Sequence, residues 1–228
     1  MQKEEEMSYN IAIDGPAGAG KSTIAKQVAG NLDFIYVDTG AMYRAIALYL
    51  LRNQVKADEE EKISSLAKQA NVELAYVNGE QQVILNGENV TGLIRTEEVG
   101  KMASAGAKNK AVRAQLLDLQ RNLAKKENVI MDGRDIGTHV LPCADLKIYL
   151  TASSRVRSER RYKELQEKGI ACNLEEIERD IIARDKQDME REIAPLKQAE
   201  DALLLDSSDM TIQEVVDKIT TLFHENCE

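Results

Sequence analysis

The stretch Ile11-Ala12-Ile13-Asp14-Gly15-Pro16-Ala17-Gly18-Ala19-Gly20-Lys21-Ser22-Thr23 decides the reading of the chain. An apolar run of strand character leads into Gly-x-x-x-x-Gly-Lys-Ser, and a helical pattern follows. The glycines let the backbone curl so that successive N–H groups converge on a phosphate chain, and the helix adds its positive end. Lys21 supplies a full charge near the β and γ phosphates, and the Ser22 hydroxyl is of the type that ligates Mg²⁺. A nucleoside triphosphate is therefore expected on Gly15, Pro16, Ala17, Gly18, Ala19, Gly20, Lys21, Ser22 and Thr23. What is done with it must be read from the rest of the chain.

Outward from the loop, Ile24, Val28 and Leu32 recur every fourth residue, which predicts a helix with one face on a sheet. Phe34–Val37, Val129–Met131, Leu146–Leu150 and Leu203–Leu205 read as further short strands, with helical spacings among them. Five strands alternating with helices predict an α/β fold with a doubly wound parallel sheet. Residues 72–90 break the alternation: Val72, Leu74 and Tyr76 alternate with polar residues, and Asn78-Gly79 and Asn86-Gly87 are turn signals. A small antiparallel sheet is expected there, inserted as a wall over an acceptor site. Helices are expected from about Ser154 to Lys168, closed by Gly169, and from Leu174 to Arg191, ahead of Pro195.

The 228 residues are 43% hydrophobic and 30% charged, with a formal net charge of −9. That charge argues against a nucleic-acid surface, though it leaves room for a local anion site. Cys143, Cys172 and Cys227 are odd in number and have no CxxC spacing, which suggests a reducing compartment and no disulfide framework. No apolar run approaches membrane-spanning length. A cytoplasmic protein without a membrane partner is expected. Residues 1–8 read as a disordered acidic tail.

In a parallel sheet, ligands collect at the carboxyl ends of the strands. The second strand leads to Asp38-Thr39-Gly40-Ala41-Met42-Tyr43-Arg44, and the third to Asp132-Gly133-Arg134-Asp135. Arg44 and Arg134 thus stand at strand ends beside the phosphate loop, where planar guanidinium forks suit a second phosphate. Arg184, Asp188 and Arg191 fall at i, i+4 and i+7, on one face of the expected helix. They form either a solvated stripe of weak pairs or a clamp, with arginines on phosphate and Asp188 on a ribose hydroxyl. Arg157, Arg160 and Arg161 read likewise as a solvated face or as a lid bringing charge to a phosphoryl group.

With these segments together, the chain resembles the bacterial cytidylate kinases, which phosphorylate CMP and dCMP. The resemblance runs from about Tyr9 to Phe223. It rests on Gly15–Thr23, Asp38–Arg44, Ile94-Arg95-Thr96-Glu97-Glu98-Val99, Asp132–Thr138, and Arg184-Asp185 through Arg191 to Ala194-Pro195-Leu196. It implies that Arg44, Arg134 and Arg191 hold the CMP phosphate, with Thr39 and Tyr43 lining the same pocket. Arg184 and Asp188 are implied at the sugar; Ser104, Arg113 and Asp135 at the cytosine ring. Lys21, Arg134 and the lid arginines 157, 160 and 161 are implied in catalysis, with Ser22 on Mg²⁺ and ATP as donor.

The implied architecture is a P-loop core (9–60 and 105–228), a monophosphate-binding insertion (61–104) and a helical lid (154–185), acting as a monomer. A carboxylate suits the exocyclic amine of cytosine, whereas uracil would turn a carbonyl toward Asp135. The alternatives are a kinase for UMP or AMP, or a P-loop switch protein. The latter usually carries DxxG and N/TKxD segments, and neither is placed after a strand here.

Overall fold

Apolar runs behind glycine loops become the strands of one layer, and the helical spacings between them become its cover. The computed structural model describes residues 8–227; most of the expected acidic tail lies outside them. In chain order the elements are β1 (Asn10–Asp14), α1 (Lys21–Leu32), β2 (Ile35–Asp38), α2 (Thr39–Arg52), α3 (Glu60–Ala67), β3 (Val72–Val77), β4 (Glu80–Leu85) and β5 (Glu88–Asn89). There follow α4 (Glu97–Gly106), α5 (Lys110–Ala124), β6 (Val129–Gly133), a single π-turn (Ile136–Val140), β7 (Leu146–Thr151), α6 (Ser154–Glu167), α7 (Leu174–Glu190), β8 (Leu203–Asp206) and α8 (Ile212–Cys227). The expected five-stranded parallel sheet is present, in strand order β2-β6-β1-β7-β8, together with a three-stranded antiparallel sheet, β3-β4-β5.

The chain divides into two units, one comprising Ile35–Val129 with the segment ending at Tyr9, the other Asn10–Phe34 with Ile130 onward. In the second unit β1 pairs in parallel with β7, Ile13 beside Ile148 and Asp14 beside Tyr149. β7 pairs in turn with β8, Leu150 beside Leu205. Ile11, Ile13, Ile148 and Leu150 are buried, as are Ile24, Ala25 and Val28 of α1 and Val215, Val216, Ile219 and Phe223 of α8. Phe34 and Phe223 meet edge to face at 5.3 Å. Each valine, leucine, isoleucine or phenylalanine among them contributes about 1.5–3 kcal/mol by leaving water. β8 is an edge strand, and Leu203 and Leu204 remain exposed on it.

In the first unit, Met42, Ala45, Ile46 and Leu50 form the buried stripe of α2, joined by Val99 and Met102 of α4 and Val112 and Leu116 of α5. The insertion is a hairpin with a short third strand: Val77 pairs with Glu80, and Leu85 with Glu88. Both turns are Asn-Gly with positive φ at each residue (53° and 77°, then 49° and 85°). That handedness matches the twist of the flanking strands, which is why this dipeptide closes tight hairpins. Ser8 donates to the carbonyl of Ala124 and Tyr9 N–H to Asn128, so the segment before β1 is tied to the end of α5.

One boundary differs from the sequence reading. α7 ends at Glu190, and Arg191 follows it in extended backbone (φ −63°, ψ 139°). The shared face expected for Arg184, Asp188 and Arg191 therefore holds only for the first two. The chain leaves the helix ahead of Ala194, whose φ is +47°, and Pro195.

Candidate active site

Gly20 is the N-cap of α1, in a left-handed conformation (φ 87°), and has no side chain with which to cap the helix. By contrast α2, α4, α5, α6 and α7 are capped by the side chains of Asp38, Thr96, Asn109, Ser153 and Asn173. The first amides of α1 are thus left without the side-chain acceptor that those five helices have, and they sit at the positive end of the helix. Gly15 carries the other constraint. At φ 150°, a Cβ there would lie 1.9 Å from the Leu150 carbonyl oxygen.

Lys21 is buried, and its Nζ donates to the carbonyls of Gly15 (2.8 Å) and Pro16 (2.7 Å). Burial, and then the Arg134 guanidinium, push its ammonium down to about 7. A charge made costly by burial is what a phosphate chain compensates. Ser22 donates its hydroxyl to Asp132 Oδ2 at 2.9 Å, at the carboxyl end of β6. Two hard oxygens beside a phosphate loop fit Mg²⁺, which takes few protein ligands and completes its shell with phosphate and water.

Beyond Asp132, Arg134, Asp135, Asp188 and Arg191 are paired with one another. Arg134 donates from Nε to Asp188 Oδ2 at 2.8 Å and also reaches the Gly133 carbonyl. Arg191 donates to Asp135 Oδ1 at 3.4 Å and lies 4.0 Å from Asp188. Its side chain is 5% exposed and that of Asp135 7%. Arg191 is held in place by a hydrogen bond from Nε to the Ala194 carbonyl, 2.7 Å. Arg184 is exposed on α7, within electrostatic reach of Arg134 and Asp188. Arg134, Asp135, Asp188 and Arg191 form one cluster of alternating sign, which an arriving anion and sugar can re-sort.

The three arginines of α6 have three different settings. Arg157 is buried and donates to the carbonyls of Ala152 and Ala17, both at 2.9 Å, and to Asp185 Oδ2 at 2.6 Å. Arg160 donates to the carbonyl of Ser207 (2.7 Å) and to its hydroxyl. Arg161 is exposed and pairs with Glu164 at 2.8 Å. Arg157 is therefore the one in contact with the phosphate loop.

In the first unit, Thr39 opens α2 and is buried, and Tyr43 and Arg44 follow within its first turns. The Arg113 guanidinium, on α5, stacks over the Tyr43 ring at 5.7 Å and donates to the Ala107 carbonyl. Ser104 is half-buried on α4. A Cβ on Gly40 would lie 3.2 Å from Asp38 Oδ1 and 3.3 Å from Arg44 NH1. The missing side chain leaves the space that Arg44 uses. Asp38, buried, also accepts from the guanidinium of Arg95 at 2.5 Å, and Gln81 of β4 bonds both its N–H and its carbonyl.

The segment from residue 11 to residue 225 matches the sequence model of a family described as cytidylate kinase. The chain belongs to the cytidylate kinase family. It is 50% identical over 216 residues to the cytidylate kinase of Caldicellulosiruptor saccharolyticus, covering 95% of this chain and 96% of that one. It is likewise 50% identical to that of Bacillus subtilis over 214 residues, 94% of this chain and 96% of that one. Among solved structures, one from Eubacterium ventriosum, titled an uncharacterized protein, is similar in fold alone: TM-score 0.52, 11% identity, 96% of this chain and 99% of that one covered.

As a member of the cytidylate kinase family, the chain is a nucleoside-monophosphate kinase with ATP as co-substrate. Asp132 was not singled out in the sequence as a partner of the loop, although its place at a strand end after an apolar run was a signal for it. Among the described residues, no helix is long and apolar enough to cross a membrane.

Proposed function

We propose that this enzyme transfers the γ-phosphoryl of ATP to CMP or dCMP through the residues described above. The observation that carries the reading is the similarity to cytidylate kinases at about 50% identity over 95% of the chain. The alternatives, UMP, AMP or a switch function, are not favoured by it.

The acceptor is already an anionic phosphate oxygen, so no general base is required; placement and charge stabilisation dominate. The loop amides and Lys21 hold the β and γ phosphates. Ser22 and Asp132 hold Mg²⁺, which when bound neutralises charge on the donor phosphates. Arg44, Arg134 and Arg191 serve the monophosphate, with Thr39 and Tyr43 beside Arg44. Arg184 and Asp188 serve the sugar. Ser104, Arg113 and Asp135 read the base, with the carboxylate accepting from the cytosine amine. Arg157, Arg160 and Arg161 belong to a lid over residues 154–185 that brings charge to the transferring group and excludes water. The chain is read as a cytoplasmic monomer that does not act on nucleic acid, in keeping with its net charge of −9.

The test is ADP release coupled to CMP, dCMP, UMP and AMP as acceptors. CMP and dCMP are expected to exceed UMP and AMP in kcat/KM by at least about 10²-fold, since a site that bonds one group rejects analogues lacking it. Equal turnover of UMP would overturn the cytosine assignment.

A further inference from the structure

Asp14 ends β1, directly before Gly15. Its side chain reaches the segment that follows β6. Oδ1 accepts the N–H of Ile136 at 2.8 Å and Oδ2 that of Gly137 at 2.7 Å. These are the first two residues of the π-turn Ile136–Val140. The turn is closed by bonds from His139 and Val140 N–H to the Asp135 carbonyl (2.9 and 3.1 Å) and from Leu141 N–H to the Ile136 carbonyl (2.7 Å). A π-turn is an uncommon conformation, frequent at functional sites, and its opening amides need acceptors. Here one carboxylate supplies both.

Asp14 is 5% exposed. Burial pushes its carboxyl up to about 6, despite the two amide bonds that favour the ionised form. Asp135 and Lys21 are the charged groups facing it, and Tyr149 lies beside it on β7. An asparagine would avoid that cost, but it has one acceptor oxygen for two N–H donors, and its own amine would face the second of them. The opposite wall is closed as well. A Cβ on Gly137 would come within 3.2 Å of Lys147 Cδ and 3.5 Å of Asp14 Oδ2.

We infer that Asp14 is a positioning residue for the acceptor, fixing through the amides of Ile136 and Gly137 the backbone that carries Arg134 and Asp135. The inference rests on the reading of those two residues as CMP contacts. Asp14 adjoins the ATP loop in sequence, so a merely structural role would disturb ATP binding at least as much as CMP binding. A positioning role makes the opposite prediction.

The experiment measures KM for CMP and for ATP, and the CMP/UMP ratio, in full-length Asp14→Asn, Gly137→Ala and Asp135→Asn. Asp14→Asn removes one acceptor, and Gly137→Ala crowds the same contact from the other side, so either serves if the other does not fold. The expected result is a KM for CMP raised at least about tenfold, the loss of one good hydrogen bond to a charged group, with the KM for ATP within about threefold of wild type. Equal rises in both constants, or no rise for CMP, overturn the inference. Asp135→Asn decides the underlying reading separately: an unchanged CMP/UMP ratio there removes Asp135 from the base site, while the split between the two KM values still decides for Asp14.

Discussion

Ser22 donates its hydroxyl to Asp132 across 2.9 Å, joining the end of the phosphate loop to the end of β6. On the proposed reading, these two oxygens would hold the Mg²⁺ of a magnesium–ATP complex. Asp132→Asn keeps the shape and removes the charge. It is expected to raise the Mg²⁺ concentration for half-maximal activity by about 10–100-fold. Titrating activity with Mg²⁺ at saturating ATP and CMP measures this, and an unshifted midpoint counts against the assignment.

Gly40 leaves space for the Arg44 guanidinium beside Asp38. Gly40→Ala sits in a helix, where alanine is favoured by about 1 kcal/mol. Crowding of the Asp38 Oδ1 that caps α2 offsets that gain, so stability is expected to change by less than about 1 kcal/mol, while displacement of Arg44 by a few tenths of an ångström weakens the monophosphate site. Steady-state kinetics should give a KM for CMP several-fold higher with the KM for ATP unchanged. A proportional change in both constants would contradict this.

The arginines of α6 are expected to separate in stability. Arg157→Ala leaves Asp185 buried without its counter-charge and strands two carbonyls, a loss of about 3–5 kcal/mol. Arg161→Ala breaks an exposed pair and is expected to cost less than about 1 kcal/mol. Urea unfolding of both variants checks the contrast. If Arg161→Ala also lowers kcat with little change in stability, the lid role gains direct support.

Asp14 makes stability depend on pH in a direction opposite to that of most carboxylates. Its folded-state pKa, about 6, lies above the ordinary aspartate value of 3.8. Its stabilising contribution is therefore full below about 3.8 and is lost as pH rises through about 6. The rise corresponds to a change on the order of 3 kcal/mol. Relative to Asp14→Asn, the wild type should be more stable at pH 4.5 than at pH 7, measured as the difference in unfolding free energy between the two proteins. A difference that stays constant across that range would show that ionisation of Asp14 costs the fold nothing.

Much of this architecture was legible because it is local. A strand, a glycine loop and a helix in succession have a spacing that can be counted, and Asn78-Gly79 and Asn86-Gly87 announce their own turns. What escaped is what forms through space. The hydrogen bond between Ser22 and Asp132 joins positions 110 residues apart, and those of Asp14 cross more than 120. The π-turn has no periodicity to reveal it. Arg157 and Arg161 lie one turn apart on nearly the same face of α6, yet Arg157 alone is level with the Ala17 carbonyl. Arg191 lies just past the end of its helix, where counting by 3.6 no longer applies.

The closeness of Gly15 to the Leu150 carbonyl has a last consequence. The triphosphate loop is moulded against the backbone of β7, a strand whose shape is set by its own pairing with β1 and β8. The curl of the loop is thus inherited from the sheet and exists before any nucleotide arrives. Little ordering entropy is left to be lost on binding. Variation at position 15 is closed even to the smallest side chain, whatever nucleotide the enzyme is asked to accept.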